Sequence, residues 1–159
     1  MKVTNAVFPS SDQFEDFFGA PEDGPFVMVN LLKFKEKADY ADGSDAELSG
    51  REAYARYGAV VTGLIEALGG RIRYSGAVTG LLLGEVDDLW DAVALAEYPS
   101  LAAFQAMAVS PEMHAIEHHR KAGLAGQLNI RTRPAQGYEP RDPHNDERMW
   151  KPELAGALN

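Results

Sequence analysis

Residues 114–124 read HAIEHHRKAGL and bring together three of the four histidines of this 159-residue chain with a glutamate among them. His114, Glu117 and His118 spell H-x-x-E-H, the inverted zinc-peptidase pattern, in which two histidines one helical turn apart bind Zn²⁺ and the glutamate activates a water. Helix geometry argues against that chemistry. At about 100° per residue, His114 and His118 share a stripe with Lys121, whose charge repels a cation, while His119 points about 100° away from His118. Three histidines cannot converge on one ion from a single helix, and neither a second metal-binding carboxylate nor a large catalytic domain is evident. No metal is therefore expected. Several roles stay open for His114 and His118: a solvated stripe beside a pocket, an acid or base or a haem ligand, since imidazole titrates near neutral pH, and behind these a two-histidine metal site with its third ligand from elsewhere.

Other residues carry chemistry singly. Asn30 is the polar break in the apolar run FVMVNLLKF, and a buried amide needs partners in the backbone or in a ligand. Glu97 ends the stretch LWDAVALAE, where a carboxylate is costly unless paired, and Arg71 or Arg73 can pair with it; the alternative is a ligand-facing or acid–base role. Arg120 falls beside Ile116 on the sheet-facing side of its helix, as a structural arginine or an anchor for an anion. Tyr54 and Tyr57 lie on an apolar helix face, where they serve as core or line a pocket with their hydroxyls. The glycines of YSGAVTGLLLG do not form a phosphate loop, because the spacing is wrong and no lysine follows.

These residues must be positioned by a modest set of elements. Ser10 or Ser11 can cap a short helix over Ser11–Phe18 with Phe14, Phe17 and Phe18 on one face. Residues 26–34 read as a strand, and the acidic stretch 35–48 as a mobile loop. Ser49 with Glu52 is a capping box that opens a long helix, stopped by Gly69-Gly70. RIRYSGAVTGLLLG and LWDAVALAEYP read as two strands with the Asp87-Asp88 pair at the bend. Ser100 caps a third helix, Ser110-Pro111-Glu112 starts a fourth that Gly123 to Gly126 ends, and QLNIRTR is a last strand.

After the first helix the order predicts a ferredoxin-like βαββαβ α+β fold, an antiparallel sheet with its helices on one face. Such strands should alternate apolar and polar, yet the first strand is apolar on both faces: Phe26, Met28, Leu32 and Phe34 on one, Val27, Val29 and Leu31 on the other. The second face needs a cover, and a second copy of the chain is the expected one.

Composition narrows the partners. A net charge of −9 disfavours a phosphate backbone, so no nucleic acid is expected, and no apolar run approaches the ~20 residues of a membrane span. The absence of cysteine removes disulfides and thiolate sites, and a cytoplasmic location is the default.

A-Y-x-x-Y at 53–57, Gly69-Gly70, E-Y-P-S at 97–100 and S-P-E-M-x-A-I at 110–116 together resemble domain-of-unknown-function family 1330, a branch of the dimeric α/β-barrel superfamily. The resemblance implies a homodimer whose sheets pack face to face, and a pocket between sheet and helices. Relatives of that superfold include small monooxygenases, haem-degrading enzymes with a histidine on the corresponding helix, isomerases and pure ligand binders, so fold alone does not assign a reaction. The expected organisation is a lead-in over 1–25, a core domain over 26–133 and a C-terminal extension over 134–159, with Tyr138, Met149, Trp150 and Leu154 as anchors. The expected function is binding of a small aromatic or carboxylated molecule without a cofactor, near Asn30, Tyr54, Tyr57 and Arg120. If a reaction occurs, it is oxygenation or isomerisation with His114, His118 or Glu97 moving the proton. The alternatives are a non-catalytic interaction module and, behind it, a haem- or metal-binding protein.

Overall fold

The computed structural model describes residues 2–21 and 24–135. The anchors assigned to the C-terminal extension, Tyr138, Met149, Trp150 and Leu154, lie outside the described residues.

Local signals account for most element boundaries. Helix α1 (Ser11–Phe18) opens on a capping box formed by Ser10 and Gln13. Strand β1 spans Phe26–Phe34. Helix α2 (Gly50–Ala67) starts at the Ser49/Glu52 capping box, and Gly69, at φ 86°, supplies the left-handed turn after it. Strands β2 (Arg71–Ala77) and β3 (Ala92–Tyr98) follow, then α3 (Leu101–Ala108), α4 (Pro111–Gly123) and β4 (Leu124–Thr132). Ser100 and Ser110 each accept a backbone N–H three residues on, a cap contributing about 1 kcal/mol.

The sheet order is β2-β3-β1-β4, antiparallel throughout. With helices crossing between strands that are not neighbours, this is the ferredoxin-like α+β architecture expected from the element order.

Two segments depart from expectation. The first hairpin strand, expected to run to Gly84, ends at Ala77. Val78 N–H still donates to the Asp91 carbonyl, after which Leu81, Leu82 and Leu83 project outward, Leu82 fully exposed. An apolar run therefore mimicked strand continuation without a pairing partner. The acidic stretch 35–48 is held down rather than free: Ala38 and Tyr40 are buried against Ala53 and Ala122, and Ala38 N–H donates to the Leu48 carbonyl.

The core lies between one sheet face and the helices. Phe26, Met28, Ala96 and Tyr98 from the strands meet Val61 and Ile65 of α2, Leu101 and Met107 of α3, and Met113 and Ile116 of α4, with Phe17 and Phe18 of α1 packed on the cluster. Phe26 stacks on Tyr98 at 5.4 Å and meets Phe104 edge-on at 6.0 Å, so this end is an aromatic wedge. Where α2 begins and α4 ends, their backbones touch. A Cβ on Gly50 would stand 2.3 Å from the Lys35 carbonyl oxygen, and one on Gly123 would stand 2.4 Å from that of Gly50, so glycine is required at both positions.

The opposite sheet face carries Val27, Val29 and Leu31 of β1, Val93 and Leu95 of β3, and Leu128 and Ile130 of β4, which the register places side by side. Ile130 and Tyr74 remain largely exposed. Among the described residues no helix is long and apolar enough to cross a membrane.

Candidate functional site

Asn30 sits mid-strand on the helix-facing side of β1, between Ala94 of β3 and Asn129 of β4. Its Nδ2 donates to the carbonyls of Met28 and Ala94, both at 3.2 Å. Its Oδ1 accepts from Gln127 Nε2 at 2.9 Å. Gln127, 7% exposed, donates also to Asn129 Oδ1 and accepts from Arg120 Nη2 at 2.8 Å. Arg120 Nη1 in turn donates to Glu117 Oε1 at 2.9 Å, one helical turn away on α4. An unbroken polar chain thus runs from the centre of the sheet to α4, in the layer that elsewhere is apolar. Each buried amide in it is satisfied by its neighbours, so losing one member strands another.

Tyr54 and Tyr57 of α2 bring their rings together at 5.4 Å, and Tyr54 also packs on Phe34 at 5.3 Å. The Tyr57 hydroxyl donates weakly to Met113 Sδ at 3.7 Å. Burial pushes the Tyr54 phenol up to about 12, moderated by the attraction of Arg120 for the phenolate. Burial likewise raises Tyr57 and Tyr98 well above the ordinary phenol range. At neutral pH all three are protonated and able to donate, not to act as bases. Arg120 is balanced by Glu117, so the cluster as a whole is close to neutral.

The remaining expected residues sit elsewhere. Glu97 pairs with Val27 in the β1–β3 register, on the sheet face away from the helices, and its Oε2 accepts from Arg71 Nε at 3.1 Å and from Arg73 Nε. It is buried under those two arginines, the paired arrangement weighed from the sequence, and does not meet Asn30. His114 and His118 are exposed on the outer side of α4. The His118 ring lies 3.9 Å from that of His119, whose Nδ1 bonds the Tyr40 hydroxyl at 2.7 Å. Burial, then the neighbouring charges of His118 and Arg56, hold His119 below the ordinary histidine value. No group of three or more His, Asp or Glu poised to hold a metal occurs among the described residues.

Gln127 and Asn129 complete the cluster without having been singled out from the sequence, and Glu117, noted there only as the glutamate of H-x-x-E-H, pairs with Arg120 instead. The signal was present in β4, where Gln127, Asn129 and Arg131 alternate with Leu128 and Ile130. That alternation sends amides, not apolar groups, toward the helices. Two open surface depressions, of about 350 and 290 Å³, lie beside α1 at Pro9 and Phe14 and at the β1–α2 junction at Lys35 and Arg51. Neither is over Asn30.

An antiparallel sheet in the order β2-β3-β1-β4, with helices crossing between non-neighbouring strands on one face, defines a ferredoxin-like α+β protein. Residues 44–131 match the family described as Domain of unknown function (DUF1330). The chain belongs to that family. It is similar to a protein of unknown function from Rhodopseudomonas palustris, with 35% identity over 84% of this chain and 99% of that one and a TM-score of 0.76. The methylated form of that protein matches at 34% identity over 86% of this chain and 100% of that one, with a TM-score of 0.77. A dimeric ferredoxin-like protein of unknown function from Thermobifida fusca, 14% identical over 69% of this chain and 90% of that one, has a TM-score of 0.46 and is too distant to argue from. Comparison with curated proteins gave no match.

Proposed function

We propose that the protein is a homodimer that binds a small aromatic carboxylate between its sheet and helices, at the chain formed by Asn30, Gln127 and Arg120 under Tyr54 and Tyr57. The observation that carries this reading is Arg120, a cation whose side chain is 13% exposed in the core layer of a protein with net charge −9. Its two neighbours outline the ligand. Glu117, with its side chain one-third exposed, bonds Arg120 Nη1 where a ligand carboxylate would, and can swing to solvent. The Phe8 ring lies 5.6 Å from the guanidinium, in the position of a ligand ring. The protonated tyrosines add donors for a further oxygen.

Calorimetric titration with benzoate, phenylacetate and 4-hydroxybenzoate tests the site. Binding of at least one, tighter than about 1 mM and lost in Arg120→Met, is the expected result, whereas no heat with any of the three counts against the reading. Glu97, His114 and His118, the residues expected to move a proton in an oxygenation or isomerisation, lie away from the cluster.

Dimerisation is supported by the partly exposed apolar face of Val27, Val29, Leu31, Val93, Leu95 and Leu128, since patches of this kind are rarely left to water. Light scattering should return twice the 17.3 kDa chain mass at micromolar concentration; a monomer there refutes the dimer. A second reading, an interaction module, is favoured by the exposed Leu82 and Leu83 of the β2–β3 loop.

A further inference from the structure

We propose that residues 5–9 form a removable strap over this site, so that ligand access is controlled by the release of the protein's own N-terminal segment. This inference rests on the binding site proposed above and concerns how that site opens.

Four contacts hold the strap. Ala6 bridges Gln127 with a reciprocal backbone pair, Ala6 N–H to Gln127 carbonyl at 3.2 Å and Gln127 N–H to Ala6 carbonyl at 2.9 Å. Asn5 Oδ1 accepts from Trp90 Nε1 at 2.9 Å. Val7 packs on the buried cluster of Leu32, Ala92 and Leu124, on which Tyr54 also packs, and Phe8 lies against Arg120. The strap therefore touches Gln127 and Arg120 directly, and through Val7 it closes the apolar cluster on which Tyr54 packs.

The attachment is tuned to be weak. A single bridge contributes two backbone hydrogen bonds at the edge of β4, where it is the pairing seen among the described residues, against the continuous β1–β4 ladder on the other side. Phe8 itself is half exposed, so its displacement forfeits little apolar burial. Gly126 lets the strap come close, because a Cβ there would stand 2.5 Å from the Asn5 Cβ. Gln127 ties the two functions together. Its backbone holds the strap, while its side chain holds Asn30 and Arg120. Release of Ala6 frees the backbone beside the residue a ligand would engage, and a ligand ring on Arg120 takes the place of Phe8.

Two measurements test the strap without any ligand. The first is nitration of Tyr54 by tetranitromethane, located by peptide mass spectrometry, in the unaltered chain and in Ala6→Pro/Phe8→Ser. Proline removes the N–H that donates to Gln127, and serine removes the ring. Nitration of Tyr54 should rise about tenfold while the circular dichroism is kept, as local opening replaces burial. Equal rates in the two proteins overturn the proposal. The second measurement needs no variant. In native hydrogen exchange, the amides of Ala6 and Gln127 should exchange at least about tenfold faster than the β1–β4 ladder amides. Exchange of these amides only with global unfolding overturns it. Failure of the binding reading looks different: the strap opens in both measurements, yet no aromatic acid binds the strap-open variant.

Discussion

Replacing Gln127 by alanine is the most informative perturbation of the polar chain. The side chain is 7% exposed and takes part in three hydrogen bonds, to Asn30 Oδ1 at 2.9 Å, to Asn129 Oδ1, and from Arg120 Nη2 at 2.8 Å. The bond from a guanidinium is worth about 1.5–3 kcal/mol and each neutral one about 1 kcal/mol, a gross loss of roughly 3–5 kcal/mol. Asn129 is exposed and recovers its bond from water, while Asn30 keeps both backbone acceptors, so the expected net loss is about 2–3 kcal/mol. In urea unfolding followed by circular dichroism, this appears as a lower midpoint with an unchanged slope. The pairwise bond is isolated by a cycle with Asn30→Ala, for which a coupling of about 1 kcal/mol is expected between the two sites. Additivity within about 0.3 kcal/mol, or a Gln127→Ala loss below about 0.5 kcal/mol, would refute the claim that the chain is a connected structural unit.

Two further outcomes follow from separate parts of the molecule. Glu97→Gln removes the carboxylate that Arg71 and Arg73 share and leaves two guanidiniums facing a neutral amide. Breaking a buried pair costs about 3–5 kcal/mol, reduced here because both arginine side chains are about 30% exposed, so a loss of about 2–3 kcal/mol by urea unfolding is expected; a loss below about 0.5 kcal/mol would contradict the pairing. His119 is held below its ordinary value of 6.5, so the folded state prefers it neutral. Its contribution is complete above pH 6.5 and is lost as pH falls through the depressed folded value, with Tyr40, His118, Arg56 and Asp45 as the facing groups. Stability measured between pH 7.5 and 5.5 should fall, and His119→Gln should flatten that dependence. An unchanged slope in the variant would remove the assignment to His119.

Local chemistry was legible in the sequence where it acts within one turn. Ser49 with Glu52, Ser110 with Pro111, and the Phe14, Phe17, Phe18 stripe gave three helix starts or faces that the fold reproduces. The order of strands and helices was enough to reach the ferredoxin-like sheet, and β1 carries apolar residues on both of its faces, as its pattern indicated. What one chain cannot display is register. Asn30 pairs with Ala94, and Val27 with Glu97, so the alternation of strand faces sends Asn30 toward the helices and Glu97 away from them. Treating each polar break separately grouped the two in one pocket. The contact of Tyr40 with His119 was hidden for the same reason, because 79 residues separate partners that meet only after α4 folds over the 35–48 segment. The three leucines at 81–83 misled in the opposite direction, since apolarity signals burial or a partner without telling which.

The central claim is that an aromatic carboxylate binds against Arg120 on the helix side of the sheet. It is tested most directly by nuclear magnetic resonance titration of the side-chain signals of Asn30 Nδ2, Gln127 Nε2 and Arg120 Nε with benzoate. These three signals should shift together and saturably, with no response in Arg120→Met. Shifts confined to other residues, or a panel of aromatic acids that leaves all three signals in place, would contradict it.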